Sequence, residues 1–393
     1  MRQHARFIAA LFLVALALRP QIIAVGPLIP SIQADLGISH TTAGLLSTIP
    51  VLCMGLFAPA AAYVAGAIGG RLAIGLAVAL IAIGGLLRVS VADAVVLLVF
   101  TLPVGIGIGI AGTLMPTAVK ARLPHRPAFA TGIYASGIQL GAALSAALAV
   151  PLATLGGGWQ FSLGVFSVAA GLSAVAWLVM EARKALPRLR IRPSPLPLRS
   201  STAWVATLVF TMIGLCFYGL SAWLPDSYVE HGWSEGRAGA LLAVVQAVTV
   251  PAGLTIPWLA DRVGSRRMYL IGGATLQMIG LVGIQVAPDA GWFWAVVIGL
   301  GIGTLFPIVM TLPLDLSDDP AQATAVAGLM LGAGYTITAI APLALGIVRD
   351  ATGSFSASLW LIVGIQACLV VSSFWLTPAR LHAHTLGNEP AVP

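Results

Sequence analysis

Long apolar runs separated by short polar breaks dominate the chain. Twelve such runs fall at about 7–30, 42–65, 71–90, 94–118, 127–151, 159–181, 202–228, 236–260, 268–287, 291–313, 322–348 and 356–377. Each is long enough for a helix to cross a hydrocarbon core of ~30 Å with some tilt. A membrane barrel would show ~10-residue segments of alternating polarity instead. The pattern therefore predicts an all-α integral membrane protein with twelve transmembrane helices. One break differs from the others: residues 182–200, ARKALPRLRIRPSPLPLRS, are basic and proline-rich and read as a linker between two sets of six helices. The predicted organisation is an N-terminal six-helix bundle over 1–181, the linker over 182–200, a C-terminal six-helix bundle over 201–380 and a tail over 381–393.

Composition supports lipid as the main solvent. Of the 393 residues 59% are hydrophobic and 8% charged, with a mean hydropathy of +0.98, against roughly 25% charged in a soluble domain. In lipid every backbone polar group must be satisfied internally, which the helices do. Cys53, Cys216 and Cys368 stand singly in apolar runs and read as small buried hydrophobes. The net charge of +7 does not mark a nucleic-acid binder, because the cations sit in the short breaks. Arg2, Arg6, Arg71, Lys120, Arg122, Arg126, the linker cations, Arg262, Arg266, Arg267 and Arg380 fall on one side, while the loops of the other hold only Arg237 and Arg349. The positive-inside rule then puts both termini and the linker in the cytoplasm, in a bacterial inner membrane. The first twenty residues also carry a signal-like Ala15-Leu16-Ala17. Removing them would leave eleven runs and break the repeat below, so they are read as the first span.

The two halves repeat. At a shift of 195, Pro30–Ser39 (PSIQADLGIS) aligns with Pro225–Ser234 (PDSYVEHGWS), Ala43-Gly44 with Ala238-Gly239, and Ala65–Arg71 (AGAIGGR) with Ala260–Arg266 (ADRVGSR). At a shift near 191, Gly112–Pro116 (GTLMP) meets Gly303–Pro307 (GTLFP), and Pro151-Leu152-Ala153 meets Pro342-Leu343-Ala344. Two pseudo-symmetric, parallel six-helix bundles are an architecture of transporters, with a solute site expected between them near the midplane.

Leu259–Arg267 (LADRVGSRR), between the eighth and ninth spans, resembles the loop signature of the major facilitator superfamily. The matching loop after the second span is degraded, with Gly66 and Ala67 where the family has Asp and Arg. The resemblance implies a gating latch formed by Asp261, Arg262 and Arg266. More narrowly, LRPQIIAVGPLIPSIQADLGIS, AGLLSTIPVLCMGLFAPAA and GLSAWLPDSY are similar to the cyanate and 2-nitroimidazole porter branch of that superfamily. That implies secondary transport, by alternating access, of small anions or small heteroaromatic molecules.

Arg19 is the main candidate for the chemistry. It lies about 12 residues into the first run, roughly 18 Å along a helix and so near mid-membrane. An arginine there costs at least ~2.5–3.5 kcal/mol. Its counterpart in the second half is Gly214, and no Asp or Glu falls at mid-depth in any run. A guanidinium fork suits a small planar anion; the alternative is an arginine that bonds carbonyls freed by Pro20, Pro27 and Pro30. Gln139, Gln246 and Tyr335 also count to mid-depth, and Gln139 aligns with Tyr335. Gln21, Tyr134 and Tyr218 complete the set of candidate substrate-binding residues, with Trp223 and Phe306 as aromatics able to clamp a flat ring. Arg88, near the end of the third run, reads as an arginine reaching for the interface. Small residues at spacing four (Gly105 and Gly109, Gly137 and Gly141, Gly299 and Gly303) predict close helix contacts that would slide if the halves rock.

The six histidines fall in loops or tails, and no run carries a catalytic or metal-ligating pattern. The match to G-x-G-x-x-G at Gly107–Gly112 lies deep in a run with no strand before it. No enzyme, cofactor or metal is expected. The expected partners are a small anionic or polar solute, lipid, and either protons or a counter-solute; a monomer is expected. Asp226 and Asp315 are the acids nearest the pathway, but neither is at mid-depth, so coupling stays open. Two rival readings also stay open: an efflux carrier for drugs or metabolites with a structural Arg19, and a polytopic membrane enzyme or receptor.

Overall fold

A computed structural model describes residues 2–123, 127–181, 196–263, 266–315 and 320–375. The tail over 381–393, most of the linker, and the side chains of Asp261, Arg262, Arg266 and Asp315 lie outside the described residues. Fifteen α-helices follow one another: α1 (Arg2–Ala17), α2 (Pro20–Ile23), α3 (Val25–Leu36), α4 (His40–Ile68), α5 (Gly70–Leu87), α6 (Ala94–Arg122), α7 (Pro127–Gly156), α8 (Trp159–Met180), α9 (Ser201–Glu230), α10 (Glu235–Val263), α11 (Arg266–Val286), α12 (Gly291–Asp315), α13 (Pro320–Thr338), α14 (Ile340–Thr352) and α15 (Phe355–Trp375). They make twelve segments long and apolar enough to cross a membrane. The first span is α1, α2 and α3 in series, and the eleventh is α13 followed by α14. Leucines, valines and aromatics line the outside; Leu155, Val95 and Leu172 are more than 60% exposed, as a lipid-facing surface requires. Cys368 belongs to that surface and, unlike Cys53 and Cys216, is not buried.

The repeat has a structural cause. Gly37 and Gly232 both turn the chain at positive φ, 63° and 85°, a conformation that glycine adopts without steric cost. Two residues on, the hydroxyls of Ser39 and Ser234 accept the backbone N–H groups of Thr42 and Arg237, at 3.2 and 3.3 Å. Each half thus ends its first span on a glycine and starts its second on a serine cap.

The same frame builds the contact between the halves. In α4 a Cβ on Gly44 would stand 2.6 Å from the carbonyl oxygen of Pro342 in α14. In α10 a Cβ on its counterpart Gly239 would stand 3.3 Å from the carbonyl oxygen of Ala146 in α7 and 3.1 Å from Pro27. Gly26 of α3 sits against the carbonyl oxygen of Ser221 in α9. Pro225, four residues beyond Ser221, has no N–H to offer that carbonyl, so the glycine covers a backbone oxygen that the helix leaves free. Around these contacts the Thr48 hydroxyl accepts the Leu343 N–H at 3.2 Å, and the Ser31 hydroxyl donates to Glu235 at 2.7 Å. All of them lie between mid-depth and the face that carries His40, called here the His40 side; the N-terminus marks the opposite, Arg2 side.

The expected small-residue contacts are present, but they lie within halves. Gly105 and Gly109 of α6 pack on Pro50, Cys53 and Met54 of α4, Gly299 and Gly303 of α12 on Val245–Ala252 of α10, and Gly137 and Gly141 of α7 on α1. They make each half rigid. Surfaces between the halves include those of Gly26, Gly44 and Gly239, and also Gly55 of α4, which lies against the backbone of Gly332 and Thr336 in α13.

Gly44→Ala is therefore expected to weaken closure of the His40 side by about 1–3 kcal/mol, since the atoms it meets are backbone. Alkylation of a cysteine at Thr48 should quicken at least about fivefold. Gly164→Ala, whose nearest atom is 3.9 Å away, should not change it. An unchanged rate in Gly44→Ala would mean that the halves do not close on this contact.

Candidate functional site

Pro20 shapes the site by what it lacks. With no N–H it cannot donate to the Leu16 carbonyl, and the first span breaks at Leu18-Arg19 before resuming as α2. Arg19 stands at the break as the N-cap of α2, with φ −101° and ψ −30°. Its own carbonyl accepts the N–H groups of Ile22 and Ile23, both at 3.0 Å. Gly141 of α7 lies against the Leu16 carbonyl oxygen, so span five covers the gap. The guanidinium is thus directed by local backbone geometry into the space between the halves.

Arg19 is 7% exposed. Its Nη1 donates to the Tyr218 hydroxyl of α9, across the interface. Its Cζ lies 5.5 Å from the Phe217 ring centroid and 5.4 Å from that of Tyr218. No carboxylate pairs with it among the described residues. Yet none of its nitrogens is sealed without a partner, whereas Nε and Nη1 of Arg88 are. The Tyr335 hydroxyl also lies within hydrogen-bonding reach, and the guanidinium lines a cavity between the halves. Arg19, Gln139, Gly214, Tyr218 and Tyr335 line it, with Phe210, Ile213, Phe217, Ile302 and Phe306 as its apolar wall. Arg19 and its pseudo-symmetric partner Gly214 thus face the same space.

Other polar groups come from both halves. Gln139 of α7 donates from Nε2 to the Thr249 hydroxyl of α10 at 2.5 Å. The Tyr218 hydroxyl also reaches the Met54 sulfur at 3.8 Å. The Tyr335 ring meets Phe210 edge-on at 5.0 Å and Tyr218 at 6.3 Å. Tyr134 lies within electrostatic range of Arg19. Its hydroxyl donates at 3.4 Å to the Gly112 carbonyl, which Pro116 leaves without an intrahelical donor.

Three expected residues stand elsewhere. Gln21 is fully buried inside the first half, donating to the Ser167 hydroxyl at 2.9 Å. Gln246 is also fully buried and donates to Ser221 at 3.3 Å. Trp223 donates to the Pro342 carbonyl at 2.8 Å and fills the seal on the His40 side. Arg88 corrects the expectation of an interfacial arginine: it is 0% exposed and donates to the side-chain and main-chain oxygens of Gln21, at 2.5 and 3.2 Å. A helical side chain leans toward the helix N-terminus, and for α5 that direction leads back into the membrane. Phe210, Ile213, Phe217 and Ile302 have no signal in sequence, because apolar residues in apolar spans are indistinguishable from packing.

The Major Facilitator Superfamily profile matches residues 11–342 and 228–390. The chain belongs to the major facilitator superfamily. It is a multi-pass secondary transporter rather than an enzyme. It is 31% identical to the cyanate transport protein CynX of Escherichia coli (strain K12) over 88% of this chain and 90% of that one. It is 31% identical to the 2-nitroimidazole transporter of the same organism over 90% of each. A bacterial homolog of the lysosomal transporter Spinster, crystallised inward-facing and unoccupied, superposes with a TM-score of 0.76 at 16% identity, covering 100% of this chain and 99% of the other. That likeness is one of fold. In this major facilitator the cavity lies between the two bundles.

Gln21→Leu is expected to lower the thermal unfolding midpoint in detergent by the equivalent of about 1–3 kcal/mol, because Arg88 loses an acceptor it cannot replace. Phe306→Leu, on the cavity wall and 36% exposed, should change stability by only about 0.5 kcal/mol. Equal effects would remove the distinction between a structural Gln21 and a cavity wall.

Proposed function

We propose that the transporter moves a small, flat, anionic or strongly polar solute, bound between the halves with Arg19 as its counter-charge. One observation carries this reading: a mid-membrane guanidinium that pairs with no carboxylate among the described residues lines the cavity between the halves. Burying a charge without an opposite partner is costly, and an incoming anion supplies the missing charge. The guanidinium fork offers two parallel donors to a planar acceptor, and Phe217, Phe210 and Phe306 offer flat apolar walls. Cyanate and 2-nitroimidazole, the solutes in the names of two relatives, are both small and polar and present a flat or linear face.

Both cavity bonds at mid-depth, Arg19–Tyr218 and Gln139–Thr249, link one half to the other. A solute that takes their place contacts both halves at once, which is how its binding is felt as rocking between access states. The contacts on the His40 side support an arrangement closed there and reached from the Arg2 side. By the distribution of Lys and Arg, the Arg2 side is the cytoplasm. Asp261, Arg262 and Arg266 act on that side as the family's latch.

Uptake of labelled cyanate into proteoliposomes tests the reading. Arg19→Ala should abolish uptake while inserting and folding normally, and Arg19→Lys should retain less than about a tenth of the rate, since an ammonium offers no planar fork. Full uptake by Arg19→Ala would overturn it.

A further inference from the structure

We infer that His40, Asp226 and Asp350 form a proton-binding site in the seal between the halves, occupied when that side is closed. His40 is the first residue of α4, in the N-terminal half; Asp226 of α9 and Asp350 of α14 belong to the other half. Asp350 Oδ1 accepts the His40 backbone N–H at 3.2 Å, and its Oδ2 accepts the Thr41 N–H at 2.8 Å and the Thr41 hydroxyl at 2.6 Å. These are the orphan donors of the first turn of α4, where the helix dipole also favours an anion. Asp350 is therefore a carboxylate, an acceptor only.

The ring of His40 follows from that. Its Nδ1 lies 2.8 Å from Asp350 Oδ1, so Nδ1 carries a hydrogen and donates it. The other nitrogen, Nε2, faces Asp226 Oδ2 at 3.6 Å. That oxygen is buried and has no hydrogen-bond partner, in a residue 8% exposed. In a neutral imidazole Nε2 would present a lone pair to a carboxylate lone pair, an arrangement with no attraction in it. One proton removes the conflict, whether nitrogen or oxygen holds it: an N–H or O–H facing a lone pair then replaces two facing lone pairs across the 3.6 Å separation. Trp223 and Phe355 flank the ring at 5.7 and 5.5 Å, a setting that suits an imidazolium.

The surrounding charges leave that proton unreplaced. Arg349 of α14 pairs with Glu230 of α9 at 3.4 Å, and Glu230 also accepts the Phe355 N–H at 3.2 Å. Glu235 of α10 accepts from Ser31. Neither Arg349 nor Glu235 contributes a donor to Asp226 among the described residues. Parting of the halves separates His40 from both aspartates, and water then serves each group without the shared proton. Closure on this side thus takes up a proton, and acid favours the closed form. His40 and Asp350 side chains are 22% and 30% exposed, so the proton enters and leaves from the His40 side. Such a site regulates access by pH and moves no net proton. The inference uses neither the solute nor the membrane orientation.

Spin labels at S90C and A290C, on the exposed His40-side ends of the two halves, report the separation in a C368S background in detergent. From pH 8 to pH 6 the ratio of short to long distances should rise about tenfold or more, up to the one-proton limit of ~10-fold per pH unit. Asp226→Asn, whose amide donates to Nε2 without a proton, should hold the short distance at both pH values. His40→Gln should lose the pH response. An unchanged ratio in the parent, or the parent's full response in Asp226→Asn, would overturn the proposal.

Discussion

A guanidinium held at mid-membrane without a counter-ion is the constraint from which the rest of this transporter follows. Arg19 pairs with no acid among the described residues, and a hydrocarbon core offers a charge nothing. The chain tolerates it by local means. Pro20 breaks the span and leaves Arg19 at a helix start, Gly141 lies against the carbonyl that the proline abandons, and Tyr218 gives one nitrogen an acceptor. The Tyr335 hydroxyl also stands within hydrogen-bonding reach of the guanidinium, and both tyrosines line the cavity. The contrast with Arg88 is informative, since that arginine is sealed inside one half with Gln21 as its acceptor. One arginine is sealed within a half, and the other lines the cavity between the halves.

The two halves use one frame for two ends. The shared proline, glycine and serine positions make the same turn and the same cap in each bundle. The shared Ala-Gly pair brings the second span of each half against the fifth span of the other. Within that common frame the first span carries Arg19 and its counterpart carries Gly214, both facing the cavity. A symmetric scaffold thus places an asymmetric charge in a cavity lined by both halves. Closure on the His40 side then depends on backbone-to-backbone contacts at glycines and on a small cluster of charged groups around His40.

The twelve spans and the repeat were legible because hydrophobic run length and proline, glycine and serine spacing are local signals. Arg19, Gln139, Tyr218 and Tyr335 were legible because a polar side chain in an apolar span has few reasons to be there; the structure brings all four to one cavity. Gln21 and Gln246 carry the same signal in sequence but serve contacts within a bundle, because depth along a helix does not reveal which way the side chain points. Arg88 departs from the expectation of an interfacial arginine for a related reason: its Cα lies near a span end while its side chain runs back inward. His40 reads as a loop residue in sequence, since its partners stand 186 and 310 positions away and the closed interface joins them. The aromatic cavity wall left no trace at all in a chain already 59% hydrophobic.

The central claim is that the Arg19 guanidinium awaits an anion. Anomalous scattering from crystals grown with selenocyanate, a heavy analogue of a small linear anion, tests it most directly. The account predicts one strong selenium peak in the cavity, with the anion within hydrogen-bond distance of the Arg19 guanidinium and close to Gln139 and Tyr335. A peak elsewhere with the cavity empty, or the same peak in Arg19→Ala, would contradict it.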